Sequence, residues 1–310
     1  MRVSTAITRK DVRTRASSSA SSDPEGENEM VVDVLARGRL HPLVKARANG
    51  THYSSTGTLP FVPGVDGVVR DQHGNLRYTV LDDSDLGTLA ERTVIDPRRS
   101  VVLPGDVDPV RIAAAMNPAM SSWVALRRRI AFRAGQRVLV LGATGSAGRM
   151  AVQIAKQFGA AYVIAAGRNA SRLAALHDLG ADETVTFDLA DRAADVDVVL
   201  DYVWGEPSAR AMTAMITARR DRGTPLNWIQ IGSIAGQTLP VHSSLVRASR
   251  LQICGSGIGS VSPRDFLAEV PELAVAVHTG AIDVQARPVP LAQVNETWSA
   301  ATDDRIVYLP

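Results

Sequence analysis

Cysteine is almost absent from this chain and lysine is scarce. Cys254 is the single cysteine among 310 residues, which excludes an intrachain disulfide and a cysteine zinc cluster and fits a reducing, cytoplasmic setting. It ends an apolar strand-like run from Leu251, so its thiol is expected to be buried. Lysine stands only at 10, 45 and 156; all other basic residues are arginine, and the net charge is +2. Nothing there suggests a nucleic-acid surface. The one basic run, Arg127-Arg128-Arg129, reads as the solvated end of a helix. No apolar run approaches the roughly 18 residues of a membrane span. The six histidines (41, 52, 73, 177, 242 and 278) show no pairing at ligand spacing, so no metal site is expected.

What is present is globular: 45% hydrophobic and 21% charged residues, in a chain long enough for roughly two domains. The N-terminus, MRVSTAITRKDVRTRASSSASS, superficially resembles a mitochondrial transit peptide. The favoured reading is a first strand, 2–8, followed by a flexible Ser-rich loop. Up to about residue 110, short strands alternate with turn signals such as Asn49-Gly50, Pro63-Gly64, His73-Gly74-Asn75 and Pro104-Gly105. The strands are expected at 31–36, 66–70, 76–80 and 93–95. Helical spacing follows over 111–130, with Pro118 expected to interrupt it. From Gly135 strands and helices alternate: strands at 137–143, 161–168, 183–187, 196–203, 227–233 and 251–256, with helices at 147–159, 170–180, 207–220 and 241–249 between them. That order predicts a doubly wound α/β Rossmann domain. A helix at 263–278, the segment 284–294 and a terminal strand at 305–310 are too small to form a core alone and are expected to return to the β-rich part. The domains expected are 1–112, 113–256 and 257–310.

The turn LGATGSAG (141–148) joins strand 137–143 to helix 147–159. Within it Ala143-x-Gly145-x-x-Gly148 is the dinucleotide fingerprint with alanine in first place. Gly145 lets the backbone approach a pyrophosphate. Gly148 lets helix and strand pack closely, and the free N–H groups from Thr144 through Ser146 and Ala147 face the anion. The alternative is a tight turn without a ligand. About 20 residues on, where an NAD site places a carboxylate, the chain reads Gly167-Arg168-Asn169. Arg168, assisted by Ser171 and Arg172, suits a 2′-phosphate, so NADPH is favoured over NADH. A plain surface arginine is the competing reading.

These pieces together resemble the medium-chain dehydrogenase/reductase superfamily, in its zinc-free quinone oxidoreductase-like branch. The match rests on PFVPGVDGVV (60–69), GTLAERTVI (87–95), MNPAMSSWVALRRR (116–129), the stretch 135–160, QIGSIAG (230–236) and ICGSGIGS (253–260). The resemblance covers nearly the whole chain, with 9–28 matched least. It implies a GroES-like β-rich catalytic domain from both chain ends, a Rossmann NADP-binding domain between them, and a homodimer joined through an edge of the Rossmann sheet. It also implies hydride transfer from NADPH to a small-molecule quinone or α,β-unsaturated carbonyl. Gly232 and Ser233 join the expected cofactor contacts. Asn117, Ser121 and Trp204 fall at positions lining the nicotinamide and substrate, Trp204 where glycine is common. Zinc-dependent relatives carry cysteine at His41 and histidine at Val65, and zinc-free ones usually carry asparagine at His41. Tyr53 and His41 are the candidate proton donors to the product, each with a purely structural alternative; Lys45 and His52 rank below them. Asp66 is expected to order the fold rather than transfer a proton. Three other readings stay open: an NADPH-binding redox sensor or interaction protein with little catalysis, a ketone/alcohol dehydrogenase, and a specialised biosynthetic enzyme using the fold for an unusual reduction.

Overall fold

The computed structural model describes residues 5–8, 11–16, 28–38, 62–81, 84–187, 189–298 and 304–310, the first two stretches by backbone alone. The chain separates into two compact units. One holds Met1–Asn117, Val270–Thr279 and Val284–Pro310; the other holds Pro118–Glu269 and Gly280–Asp283. The dividing points thus lie at 117/118, 269/270, 279/280 and 283/284.

The first unit begins with β1 (Thr5–Thr8) and β2 (Asp11–Ala16), an antiparallel pair. It continues with β3 (Met30–Gly38), β4 (Asp66–Arg70), β5 (Leu76–Val80), β6 (Arg92–Ile95) and β7 (Ser100–Val102). The His73-Gly74-Asn75 signal becomes the β4–β5 turn. There the Asp71 carboxylate accepts the N–H groups of His73 at 3.0 Å and Asn75 at 2.9 Å, the local bonding that makes aspartate a turn former.

Helix α1 (Pro109–Val124) runs on through Pro118 and ends in a wider turn at Ala125–Arg129. The expected interruption does not occur. A proline at 118 deprives the Ala114 carbonyl of its helical partner, and the Arg305 guanidinium donates to that carbonyl at 2.8 Å instead. The three arginines after it are not simply solvated. Arg128 Nε lies 2.6 Å and Arg127 Nε 3.2 Å from the carboxylate of Glu269, which is 2% exposed, and Trp123 Nε1 donates to the same group at 2.9 Å. Arg129 donates to the carbonyls of Gly255 and Ser260, both at 2.8 Å.

The second unit carries β8 (Arg137–Leu141), α2 (Ser146–Gln157), β9 (Tyr162–Ala166), α3 (Ala170–Ala174), β10 (Glu183–Val185), β11 (Val198–Asp201), α4 (Gly205–Ala218), β12 (Leu226–Gln230), α5 (Ser243–Arg247) and β13 (Leu251–Gly255). Its six strands are all parallel, in the order β10-β9-β8-β11-β12-β13. This is the doubly wound α/β arrangement, and the strand order reverses between β8 and β11. The continuous apolar runs of β8, β9 and β11 are buried on both faces, as a sheet covered by helices on each side requires. Leu139, Leu141, Ile164, Val199 and Trp228 anchor one layer of this core.

Strand β13 is one edge of this sheet and β10 the other. Ile253 is 44% exposed and Cys254 is half-buried, which corrects the buried thiol expected from the apolar run. An edge strand has a neighbour on one side only, so its apolar sequence is not matched by cover. Burial still pushes the thiol pKa up.

After α6 (Pro263–His278) come β14 (Ala286–Pro290), α7 (Val294–Trp298) and β15 (Arg305–Leu309). They complete the first unit's seven-stranded sheet, β14-β15-β3-β4-β5-β7 with β6 beside β3. Every pairing in it is antiparallel except β14 with β15. Its core joins Val62, Val65 and Leu89 to Trp298, Ile306 and Tyr308, so the two ends of the chain share one apolar centre.

Candidate cofactor site and a buried polar cluster

The glycine turn sits at the carboxyl end of β8, beside the point of strand reversal. Gly142 adopts φ +82°, and its N–H and that of Ala143 both donate to the Ala166 carbonyl, at 3.0 and 2.9 Å. That ties the turn to the end of β9. The two later glycines differ in kind. A Cβ on Gly148 would collide with the Gly142 carbonyl oxygen and lie 2.6 Å from Ala143 Cα, so the protein's own packing demands glycine there. A Cβ on Gly145 would meet nothing nearer than the Gly142 oxygen at 3.6 Å, and φ −77°, ψ 164° is open to any residue. Neither packing nor backbone requires glycine at 145, and the space over it is open.

Gly145 is also the N-cap of α2. No side chain caps that helix and no acid lies in its first turn, so its orphan N–H groups remain available to an anion. Thr144 packs beside the end of β9: a Cβ on Gly167 would lie 3.0 Å from its methyl group. Arg168 follows, exposed, with no carboxylate at the end of β9 to compete for it. Asn169 turns its side-chain oxygen to the Arg172 N–H at 3.1 Å and the Ser171 hydroxyl at 2.7 Å. This capping uses the Ser171 hydrogen and leaves only the amide nitrogen of Asn169 for a ligand. Gly232 and Ser233 lie just beyond β12, and the Gly232 N–H donates to the Asp201 carbonyl at 3.1 Å. These residues fit a dinucleotide: open space over Gly145, an uncapped helix start and the exposed Arg168 guanidinium, without a partner among the described residues, answer a pyrophosphate and a further phosphate.

The end of β11 and the residue after it, Asp201 and Tyr202, are two residues that the sequence reading passed over. Asp201 is fully buried. One of its oxygens accepts the N–H groups of Val203 at 2.8 Å and Trp204 at 2.9 Å and the Ser208 hydroxyl at 3.0 Å; the other accepts Trp228 Nε1 at 2.9 Å. A buried carboxylate so saturated fixes the loop. Trp204 takes φ 55° and ψ −169°, a region close to glycine-only, and is the one non-glycine residue with positive φ among those described. Its side chain is partly buried against the apolar core of the second unit. Tyr202 is hydrogen-bonded to Ser121 of α1 at 3.1 Å, and burial pushes its phenol up to about 12. The available signal was an aspartate closing an apolar strand, a polar group that must find partners.

In the first unit, Asp66 centres a second buried cluster. Tyr78 donates to it at 2.8 Å, and the Asn117 amide reaches its other oxygen at 3.5 Å. Burial pushes the Asp66 carboxyl above its ordinary range, against the Tyr78 bond and the charges of Arg305 and Arg37. Arg37 is 2% exposed; burial lowers its guanidinium to about 10, opposed by Asp66. The Asp66 carbonyl also accepts the Thr88 hydroxyl at 2.6 Å. His41 and Tyr53, with Lys45 and His52, lie outside the described residues. Among those described, no group of three His, Cys, Asp or Glu side chains is placed to hold a metal ion.

This architecture has close counterparts. The chain is 31% identical to a protein of Emericella nidulans named as a probable NADPH-dependent quinone reductase, over 93% of this chain and 94% of that one. The chain belongs to the medium-chain dehydrogenase/reductase superfamily, in its quinone oxidoreductase-like branch. The model of the zinc-binding dehydrogenase family matches residues 147–275 of this quinone oxidoreductase-like chain. A chloroplastic NADPH-dependent alkenal/one oxidoreductase of Arabidopsis thaliana is 27% identical over 58% of this chain and 51% of its own length. The fold matches that of the quinone oxidoreductase of Thermus thermophilus, with a TM-score of 0.80, 22% identity and coverage of 99% of this chain and all of that one. No described helix of this family member is long and apolar enough to cross a membrane.

Proposed function

We propose that this chain is an NADPH-dependent oxidoreductase that reduces a quinone or an α,β-unsaturated carbonyl without a metal. The observation that carries the reading is Gly145: a glycine that its own protein does not need, above an uncapped helix start, at the strand-reversal point. Thr144, Gly145, Ser146, Ala147 and Gly148 cradle the pyrophosphate. Gly167, Arg168, Asn169 and Arg172 take the adenosine end, with the Arg168 guanidinium on the 2′-phosphate. Gly232, Ser233, Ser121, Asn117 and Trp204 line the nicotinamide and substrate.

When bound, NADPH supplies the hydride. The chain must then meet negative charge gathering on the acceptor's carbonyl oxygen, and a positioned donor does this better than water. Tyr53 and His41 are assigned that task, as hydrogen-bond donors to the oxygen or as proton donors to the product. Asp66, held by Tyr78 and Asn117, orders the strand that carries it. The β-rich segments 1–112 and 257–310 form the catalytic domain, and 113–256 the NADP-binding domain. The enzyme acts in the cytoplasm as a homodimer; the open strand β13, with Ile253 exposed, supports pairing with a second copy. NADPH consumption in the presence of quinones, enals and enones tests the activity. Binding without consumption on every acceptor would support the sensor reading instead.

A further inference from the structure

Tyr202 stands at the end of β11, the first strand of the sheet's second half, which in doubly wound dinucleotide folds serves the second mononucleotide. Its backbone is wedged between two turns of the cofactor site. A Cβ on Gly142 would lie 3.3 Å from Tyr202 Cβ, and one on Gly232 would lie 2.7 Å from the Tyr202 oxygen. Its N–H is held by the Leu141 carbonyl at 3.1 Å. The residue is therefore fixed from both sides at the strand-reversal crevice.

The direction of its side-chain hydrogen bond follows from counting hydrogens. Ser121 has one hydroxyl hydrogen and donates it to the Pro118 carbonyl at 2.7 Å. In the 3.1 Å contact between Ser121 and Tyr202, the phenol is then the donor. Ser122, the phenol's second side-chain partner, gives its own hydrogen to the Ala119 carbonyl at 3.3 Å; Tyr202 has then spent its only hydrogen, and its oxygen keeps acceptor capacity. The raised phenol pKa keeps the group neutral at physiological pH. Such a group suits an N–H better than it suits a developing oxyanion.

Resting on the proposed NADPH-binding reading, we propose that Tyr202, oriented by Ser121, accepts a hydrogen bond from the carboxamide N–H of the nicotinamide and so sets the ring's rotation for hydride transfer. Tyr202 is thereby a cofactor-orienting residue, and the acid task stays with other groups. Ser121 is a positioning residue that acts through it.

The test compares NADP with its 3-acetylpyridine analogue, which has a methyl ketone in place of the carboxamide and so no N–H to donate. Affinities are measured by calorimetry on wild type, Tyr202→Phe and Ser121→Ala, with thermal unfolding as the check on folding. Wild type is expected to bind NADP about fivefold to tenfold more tightly than the analogue, the size of one neutral hydrogen bond. Tyr202→Phe should lose that preference while still unfolding cooperatively, and Ser121→Ala should reduce it. A Tyr202→Phe protein that keeps the wild-type preference overturns the assignment. Binding without turnover would overturn the proposed activity but not this contact, which the affinity ratio alone decides. Failure of wild type to bind either dinucleotide overturns both.

Discussion

A methyl group placed on Gly145 and one placed on Gly148, three residues apart in one turn, should harm the protein in different ways. On Gly148 the new carbon would sit 2.6 Å from Ala143 Cα and 2.9 Å from its carbonyl carbon, both backbone atoms. Helix α2 must then lift off β8. Overpacking of that kind costs about 1–3 kcal/mol, and alanine's better helix propensity returns at most about 1. On Gly145 the nearest atom is 3.6 Å away and the backbone is extended. Alanine there gains about 0.4–1 kcal/mol by restricting the unfolded chain. It loses a similar amount because it is a poorer N-cap than glycine. The stability of the free protein should stay nearly constant. Its affinity for NADPH should not, because the methyl occupies the approach of the pyrophosphate to the N–H groups. Losing one or two charge-assisted hydrogen bonds costs about 1.5–3 kcal/mol, a rise of about tenfold to a hundredfold in Kd. Thermal unfolding with and without NADPH separates the two cases. Gly148→Ala should melt earlier even without ligand; Gly145→Ala should melt with wild type when free and lose the NADPH-induced rise. Wild-type NADPH affinity in Gly145→Ala would refute the placing of a phosphate over this turn.

Three further outcomes follow from single residues. Arg168→Ala should weaken NADPH binding about tenfold or more while leaving NADH binding unchanged, since only the 2′-phosphate loses a partner; equal effects on both would remove the phosphate assignment. Burial works to raise the Asp182 carboxyl, but Lys156 Nζ at 2.6 Å and the Val163 N–H at 2.6 Å outweigh it and hold the pKa below the usual range. A depressed folded pKa contributes stability above the unfolded value of about 3.9 and loses it as pH falls through the folded value. Asp182→Asn should therefore be less stable than wild type at neutral pH, with the gap closing in acid; a gap that persists in strong acid counts against the pairing. Ile253→Lys puts a charge on the open edge of β13 and should yield a folded monomer by analytical ultracentrifugation. A wild type that sediments as a monomer would discard the edge-pairing proposal.

The parts of the fold that reached the sequence plainly were those with one dominant local cause. β4 and β5 fall where Asp66–Arg70 and Leu76–Val80 were expected, because turn residues bracket short apolar runs. α6 spans the expected Pro263–His278. β8, α2 and β9 read through because a double-sided apolar strand, a glycine turn and an amphipathic helix succeed one another. What escaped depends on distant partners. Pro118 does not break α1 because Arg305, almost two hundred residues later, supplies the lost hydrogen bond. The arginines at 127–129 look solvated until Glu269 is brought to them. Cys254 looks buried until β13 proves to be the last strand of its sheet. The glycine turn between β8 and α2 was legible in the sequence, whereas the Asp201 clamp and the bond between Ser121 and Tyr202 arise from side chains meeting across the parallel-sheet unit.

The central claim is hydride delivery from NADPH to a conjugated carbonyl acceptor, and its most direct measurement is stopped-flow oxidation of NADPH on mixing the purified protein with a quinone or an enone. Oxidation should be faster with NADPH than with NADH, persist after treatment with a metal chelator and yield the reduced acceptor in equal amount. NADPH that binds but is not oxidised by any such acceptor, or oxidation abolished by the chelator and restored by zinc, would contradict it.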